Sequence, residues 1–214
     1  MADIIPSREE WIKALEERHG KELQKKFLSA TVAICGLGGL GSNIAIALAR
    51  AGIGKLILID FDKVDITNLH RQQYKASQIG KYKTQALAEN LKEIAPYTEL
   101  EIHTVCVNEK NAVELLNNAD IICEAFDNAE CKSMLTDIVL SEFPDKYLIT
   151  ASGMAGIGSA NNIRTRKITS RFYLCGDEIS DVDGGMGLVA SRVMLCTAHQ
   201  AHTVLRILAE KYET

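Results

Sequence analysis

The chain has 214 residues, 47% of them apolar and 24% charged, with a formal net charge of −4 at neutral pH. This length is typical of a single domain, so we expect one domain over residues 1–214. The composition is that of an ordinary globular protein without the basic field that nucleic acids attract, so no nucleic-acid partner is expected.

The sequence also bears on membranes and on redox chemistry. No apolar run reaches the roughly 18 residues that a bilayer span requires, and the N-terminus has no secretion-signal pattern. We therefore expect a cytoplasmic protein with no membrane contact. The six cysteines are scattered, with no Cys-x-x-Cys pair, and they are expected to be reduced.

The predicted elements alternate between strands and helices. Residues 1–28 form an N-terminal helical segment that begins with a capping box between Ser7 and Glu10 and is interrupted near Gly20. Apolar, β-branched runs predict strands, and helical periodicity predicts the segments between them. The strands are expected at 31–35, 55–60, 99–106, 120–126 and 146–151, and the intervening helices at 40–52, 77–95, 109–117 and 129–142.

The character of the chain changes after Gly153. Residues 156–168 are a candidate strand, residues 166–187 are predicted to be a mobile crossover loop, and a long helix is expected over 188–212. Strands that alternate with helices of ten or so residues indicate a parallel sheet covered on both faces. The predicted fold class is α/β: a Rossmann-like, doubly wound, mainly parallel sheet with an N-terminal helical extension and a long C-terminal helix.

A glycine motif lies between the first strand and the helix that follows it. Gly36, Gly38 and Gly41 satisfy G-x-G-x-x-G in the context where that motif binds nucleotides. The helix N-terminus offers free N–H donors to phosphate, and Asp60, at the end of the second strand, is placed to accept hydrogen bonds from a ribose. The alternative is a tight strand-to-helix turn with no ligand.

Further polar side chains are predicted to meet at the same sheet edge, because ligands of open α/β sheets collect where the strands end. Cations would stabilise a transferring phosphate group and a carboxylate would hold Mg²⁺. Taken alone, each lysine could be a solvated surface residue, and Asp127 could simply cap the next helix. The side chains are Asn68, Arg71, Gln72, Lys81, Lys83, Asp127 and Asn128.

Four stretches, "GLGGLGSN", "LIDFDKVDITNLHRQ", "GKYKTQA" and "EAFDN", resemble in order and spacing the ubiquitin-activating-enzyme-like family of ThiF and MoeB. The likeness covers residues 30–160 and extends more weakly into the last helix. Members of that family adenylate the C-terminal Gly-Gly of ubiquitin-fold proteins. The compact length looks closest to the short ThiF-like branch assigned to thiamine biosynthesis.

The resemblance implies a role for individual residues. Gly38 and Gly39 would lie against the phosphates of ATP, and Asp60 would hold the ribose. Asn68 and Arg71 would reach the triphosphate, beside Gln72. Three further roles complete the site: charge neutralisation at the α-phosphate by Lys83, Mg²⁺ binding by Asp127, and support of that carboxylate by Asn128.

The resemblance also implies the reaction and the partners. The C-terminal carboxylate of a small ubiquitin-fold sulfur carrier would attack the α-phosphorus and release pyrophosphate; no general base is needed, because a carboxylate is already ionised. A homodimer is expected, and either Arg8 or Arg18 is a candidate to enter the partner subunit's ATP site. Cys175 is a weak candidate for a covalent link to the carrier, since its neighbours Asp177 and Glu178 are acidic.

The chain departs from many relatives in lacking two Cys-x-x-Cys pairs, so no structural zinc site is predicted. Other functions stay open. The same chemistry would also serve a molybdopterin carrier or activation of a tRNA base, although the acidic composition disfavours tRNA. A nicotinamide-dependent oxidoreductase and a non-catalytic binding module are the remaining alternatives. An oxidoreductase would leave Arg71, Lys83 and Asp127 without a role. A non-catalytic binding module would be expected to have lost at least one of these three residues.

Overall fold

The computed structural model describes residues 5–182 and 185–213. The helices are α1 (Arg8–His19), α2 (Lys21–Ser29), α3 (Gly39–Ala51), α4 (Lys83–Ile94), α5 (Ala112–Leu116), α6 (Ala129–Glu142) and α7 (Ala190–Leu208). The strands are β1 (Thr31–Cys35), β2 (Lys55–Ile59), β3 (Glu99–His103), β4 (Ile121–Glu124), β5 (Tyr147–Ala151), β6 (Arg164–Lys167) and β7 (Phe172–Gly176). Short 3-10 turns lie at Ile66–Asn68, Ala76–Gln78 and Ala160–Asn162.

All these strands belong to one seven-stranded sheet in the order β3-β2-β1-β4-β5-β7-β6. Every neighbouring pair is parallel except β6–β7, which is antiparallel. The reversal of strand order between β1 and β4 is the place where doubly wound sheets bind ligands. The predicted α/β, Rossmann-like fold class is therefore confirmed.

The apolar strands are buried because helices cover both faces of the sheet. Val32 and Ile34 of β1 face a cluster that includes side chains of α3, α4 and α7. Ala33 and Cys35, which alternate with them, face a second cluster with α5 and α6. This alternation explains why the strands read as continuous apolar runs.

The register of the central strands sets where the polar loops begin. Cys35 of β1 is paired with Ile59 of β2 on one side and with Glu124 of β4 on the other. The residues that follow, Gly36, Asp60 and Ala125, therefore leave the sheet at the same level. This register brings three loops together at one carboxyl edge.

The two N-terminal helices, α1 and α2, agree with the helical segment predicted from the sequence. The Ser7 N–H donates to Glu10 Oε2 over 2.8 Å and the Glu10 N–H donates to Ser7 Oγ over 3.3 Å, which completes the predicted capping box. Gly20, with φ of 83°, separates α1 from α2. The interruption predicted near Gly20 is confirmed.

Several predicted elements are shorter in the structure. The helix expected from 77 is a 3-10 turn at Ala76–Gln78 followed by α4, because Gly80 adopts a positive φ of 86° between them. The strand expected over 99–106 ends at His103, and the helix expected over 109–117 is α5. No helix among residues 5–182 and 185–213 is both long and apolar enough to cross a membrane.

The prediction of a mobile loop over 166–187 is wrong for its first half. β6 includes residues 166–167, and β7 pairs with β5 on one side and β6 on the other. Tyr173 and Cys175 of β7 are buried in the cluster that contains α7, so a five-residue strand lies between polar flanks. Positions 183 and 184 of the predicted loop lie outside the described residues.

Candidate nucleotide-binding site

The glycine loop joins β1 to α3. Gly36 has a φ of 90°, and a Cβ on it would lie 2.8 Å from the Ala125 carbonyl oxygen. A Cβ on Gly41 would lie 1.8 Å from the Gly36 carbonyl oxygen. These two glycines allow the loop to pack on α3 and on the β4 loop, while Gly38 and Gly39 begin the helix, where first-turn amides have no intrahelical acceptor. The loop can therefore accept an anion.

Asp60 follows β2 and fixes this loop. Its Oδ2 accepts the Leu37 N–H over 2.6 Å, and its Oδ1 accepts the Asp62 N–H over 2.7 Å. The side chain is buried, and this burial raises the carboxyl pKa above its ordinary value, an effect that the nearby Lys83 ammonium opposes. Asp60 thus orients the glycine loop, and each oxygen keeps capacity for a further donor such as a ribose hydroxyl.

Lys83 begins α4 and lies between two acids. Its Nζ is 2.7 Å from Asp62 Oδ2 and 3.9 Å from Asp60 Oδ2. The Lys83 side chain is 8% exposed, whereas that of Asp62 is 48% exposed. Asp62 is not among the predicted site residues, although its position two residues after a strand-end acid is a signal that could have indicated it. The lysine is therefore oriented toward the same edge as the glycine loop.

Arg71 and Gln72 lie against the glycine loop. A Cβ on Gly39 would be 3.5 Å from both Cγ and Cδ of Arg71, and a Cβ on Gly38 would be 3.8 Å from Nε2 of Gln72. Arg71 Nε and Gln72 Oε1 are buried and have no hydrogen-bond partner in the described part of the chain. Buried polar atoms are rarely left unpaired, so their position beside the loop is what a polar ligand would require.

Asn68, by contrast, completes a local turn. Its Oδ1 accepts the Asp65 N–H over 3.1 Å, and Asp65 Oδ1 in turn accepts the Thr67 N–H over 2.8 Å. Arg71 is tied to this turn because its Nη1 donates to the Thr67 carbonyl over 3.2 Å. The predicted contact of Asn68 with the triphosphate stays a prediction.

Asp127 and Asn128 follow β4 and have different roles. Asn128 Oδ1 accepts the Cys131 N–H over 3.0 Å, so Asn128, rather than Asp127, caps α6. Asp127 is exposed and makes no hydrogen bond or ion pair with the residues that the structure describes. Phe126, just before it, lies 3.0 Å from where a Gly36 Cβ would be. Asp127 is therefore an exposed acid directly after a residue that approaches the glycine loop, and its carboxylate has no partner among the described residues.

Two of the predicted charged residues lie beside the glycine loop, and the third follows a residue that approaches it. Arg71 lies against Gly39, Lys83 is 3.9 Å from the Asp60 carboxylate that accepts the Leu37 N–H, and Asp127 comes directly after Phe126. The described residues contain no group of three or more His, Cys, Asp or Glu side chains that could hold a metal ion. One free carboxylate still fits Mg²⁺, which commonly takes one or two protein carboxylates and completes its shell with phosphate oxygens and water.

The other candidates lie elsewhere. Arg8 and Arg18 are exposed on α1. Cys175 is buried in β7, and burial raises the pKa of its thiol to about 11. A reactive cysteine needs a depressed pKa and access to solvent, so the structure opposes the covalent role considered for Cys175.

Thiol labelling checks this conclusion. When the native protein is treated with a maleimide at neutral pH, we expect Cys106, which is exposed, to react first and Cys175 to stay unmodified until the protein unfolds. Peptide mass mapping of the labelled sites measures the order. Rapid modification of Cys175 in the folded protein would contradict the assignment.

Several known proteins are similar to this chain in sequence. The adenylyltransferase and sulfurtransferase MOCS3 of Caenorhabditis briggsae is 37% identical over 132 residues, which are 61% of this chain and 33% of that protein. Ubiquitin-like modifier-activating enzyme 5 of the same organism is 39% identical over 111 residues, which are 52% of this chain and 24% of that protein. The chain thus spans a quarter to a third of the length of these relatives.

Solved structures establish the fold independently. The E. coli tRNA N6-threonylcarbamoyladenosine dehydratase TcdA in complex with ATP has a TM-score of 0.84 at 21% identity, covering 97% of this chain and 98% of that one. E. coli MccB with succinimide has a TM-score of 0.70 at 21% identity, covering 89% and 59%. Finally, the model of the ThiF family matches residues 13–214, so the chain belongs to the ThiF family.

Proposed function

We propose that this chain is an ATP-dependent adenylyltransferase that activates a C-terminal carboxylate as an acyl-adenylate. The observation that carries the proposal is the arrangement around the glycine loop, with Arg71 against Gly39, Lys83 beside the Asp60 that holds Leu37, and Asp127 directly after Phe126, which approaches Gly36. Nucleotidyl transfer needs cations around a phosphate and an acid for Mg²⁺. Membership of the ThiF family and likeness to proteins named adenylyltransferases support the same reaction.

ATP would bind with its phosphates against the glycine loop. The first-turn amides of α3 at Gly39 would donate to phosphate oxygens, and Asp60 would accept from the ribose. The unpaired Arg71 Nε and Gln72 Oε1 would gain polar partners from the nucleotide. These contacts make the loop and its neighbours a binding surface for the whole nucleotide.

Positioning and electrostatics would supply the catalysis. The attacking carboxylate is ionised at neutral pH, so the chain need not provide a base. Lys83 would stabilise negative charge at the α-phosphate, for which it must exchange part of its pairing with Asp62. Asp127 would hold Mg²⁺, which when bound neutralises phosphate charge. Pyrophosphate leaves as the acyl-adenylate forms.

The substrate we favour is a small ubiquitin-fold sulfur carrier that ends in Gly-Gly, of the ThiS kind used in thiamine biosynthesis. We propose that this chain acts on it as a homodimer. Two relatives that are similar in sequence are named as an adenylyltransferase and sulfurtransferase and as a ubiquitin-like modifier-activating enzyme. Exposed apolar side chains between β7 and α7 suit a protein tail rather than a polyanion. They are Ile179, Val182 and Met186.

The test is exchange of labelled pyrophosphate into ATP. We expect exchange that depends on a Gly-Gly carrier and Mg²⁺, and we expect none with a carrier shortened by its terminal glycine. Three acceptors are compared: a ThiS-like carrier, a molybdopterin-type carrier, and tRNA without a carrier. The tRNA is included because the structurally similar TcdA is named a tRNA N6-threonylcarbamoyladenosine dehydratase. The proposal would be overturned if only tRNA supported pyrophosphate exchange. It would also be overturned if none of the three acceptors supported it.

A further inference from the structure

An ion pair with a buried carboxylate lies directly behind the turn that carries Asp127. Glu124, the last residue of β4, has a side chain that is 0% exposed, and Lys132 of α6 is 27% exposed. Lys132 Nζ is 3.0 Å from both Glu124 carboxylate oxygens and also donates to the Ala151 carbonyl at the end of β5 over 3.0 Å. The pair thus ties α6 to the ends of two strands.

The Glu124 carboxylate also holds the turn itself. Its Oε1 accepts the Phe126 N–H over 2.7 Å, while the Glu124 backbone carbonyl accepts from Gln200 Nε2 of α7 over 3.0 Å. Phe126 and Ala125 supply the atoms that lie nearest to where a Gly36 Cβ would be. Asp127 comes next in the chain, and no other described contact restrains its side chain.

Stability alone does not account for such a pair. Removing the Glu124 carboxylate from water costs free energy that can exceed its attraction to Lys132, and apolar side chains of similar volume are often as stable. A fixed carboxylate does provide an acceptor at a defined place, as partners behind metal ligands do. The pair is therefore better explained by the turn that the Glu124 carboxylate holds through the Phe126 N–H.

We propose that Glu124 and Lys132 are positioning residues that hold residues 125–128 so that the Asp127 carboxylate faces the ATP phosphates and binds Mg²⁺. The inference rests on the proposed function. It names the hydrogen bond from the Phe126 N–H to Glu124 as the contact that transmits the effect. Lys132 acts through Glu124, because its Nζ donates to both carboxylate oxygens over 3.0 Å and holds them in place.

Two double variants separate the acceptor from the charges. Glu124→Leu with Lys132→Met removes both charges and the acceptor, whereas Glu124→Gln with Lys132→Met removes both charges but keeps an acceptor for the Phe126 N–H. Neither leaves an unpaired buried charge, so both are expected to fold. Lys132→Arg, which keeps the cation, is the conservative rescue.

Two measurements are compared across these variants. Amide hydrogen exchange at Phe126, without nucleotide or metal, is expected to be slow in the wild type and the Gln/Met variant and faster in the Leu/Met variant. The second quantity is the Mg²⁺ concentration at which the Mg²⁺-dependent increase in ATP affinity is half complete. We expect this concentration to rise roughly 10- to 100-fold in the Leu/Met variant. The rise in the Gln/Met variant should be several-fold smaller. Lys132→Arg should restore values near those of the wild type.

The outcomes distinguish the two proposals. Suppose that the wild type binds ATP with Mg²⁺ and that the Leu/Met variant has the wild-type rate of amide hydrogen exchange at Phe126 and the wild-type Mg²⁺ requirement. The positioning inference is then wrong while the proposed function stands. An equal loss of Mg²⁺ affinity in both double variants would also overturn it, because the acceptor would then be irrelevant. A wild-type chain that does not bind ATP would overturn both.

Discussion

Asp127→Ala is expected to abolish carrier-dependent pyrophosphate exchange, with a loss on the order of 10³-fold, while leaving the fold intact. The reason lies in the surroundings of Asp127. Its side chain is exposed and has no partner among the described residues, so the wild-type fold does not depend on it. We expect the free energy of unfolding to change by less than about 0.5 kcal/mol. Rates are measured by isotope exchange and stability by denaturant unfolding.

Glu130→Ala is the matched control, because Glu130 is an exposed acid in the first turn of α6, three positions further along the chain. It should keep wild-type exchange. Asp127→Asn adds a second test, since an amide keeps the shape of the side chain but binds Mg²⁺ far more weakly than a carboxylate. Exchange within about tenfold of wild type in Asp127→Ala would remove this residue from the metal site.

The main features of this site were predictable because a repeating strand–helix pattern determines which residues meet. Once β1, β2 and β4 are recognised as parallel strands, their C-terminal residues must lie at one edge, whatever the packing details. That topological rule places Gly36, Asp60 and Asp127 together. It needs only the apolar periodicity and the glycine motif, both of which are local signals.

Other features could not be predicted because they depend on contacts between distant residues. Nothing near Glu124 in the sequence indicates that a lysine eight positions later will pair with its buried carboxylate. The strand β7 was missed for the same reason: its five residues gain stability from β5, β6 and α7, while local composition favours a loop. Tertiary packing overrides local propensity at such places.

The second prediction concerns Lys83, which we expect to act in the transition state. Lys83→Met should lower the rate of adenylation by about 10²-fold or more while weakening ATP binding much less. Steady-state kinetics and direct ATP titration give the two quantities. Equal losses in both would instead make Lys83 a ground-state ligand of ATP.

Lys83→Met should also cost stability, because it leaves the buried Asp60 carboxylate without its cation. We expect the free energy of unfolding to fall by on the order of 3 kcal/mol at neutral pH. Lys81→Met is the control: Lys81 pairs with Glu89 at 2.8 Å, but both side chains are about half exposed, so the cost should stay below about 1 kcal/mol.

The pH dependence of this loss has a definite sign. Burial raises the pKa of Asp60 in the folded state, so its favourable contribution is present at low pH and is lost as the pH rises through the folded pKa. Lys83 opposes that shift, and the methionine variant should therefore have an Asp60 pKa that is higher still. The stability deficit relative to wild type should be largest near neutrality and should shrink as the pH falls through the raised Asp60 pKa, where the carboxyl takes up a proton. A deficit that stays constant over this range would mean that lost packing, rather than the unpaired Asp60 charge, destabilises the variant.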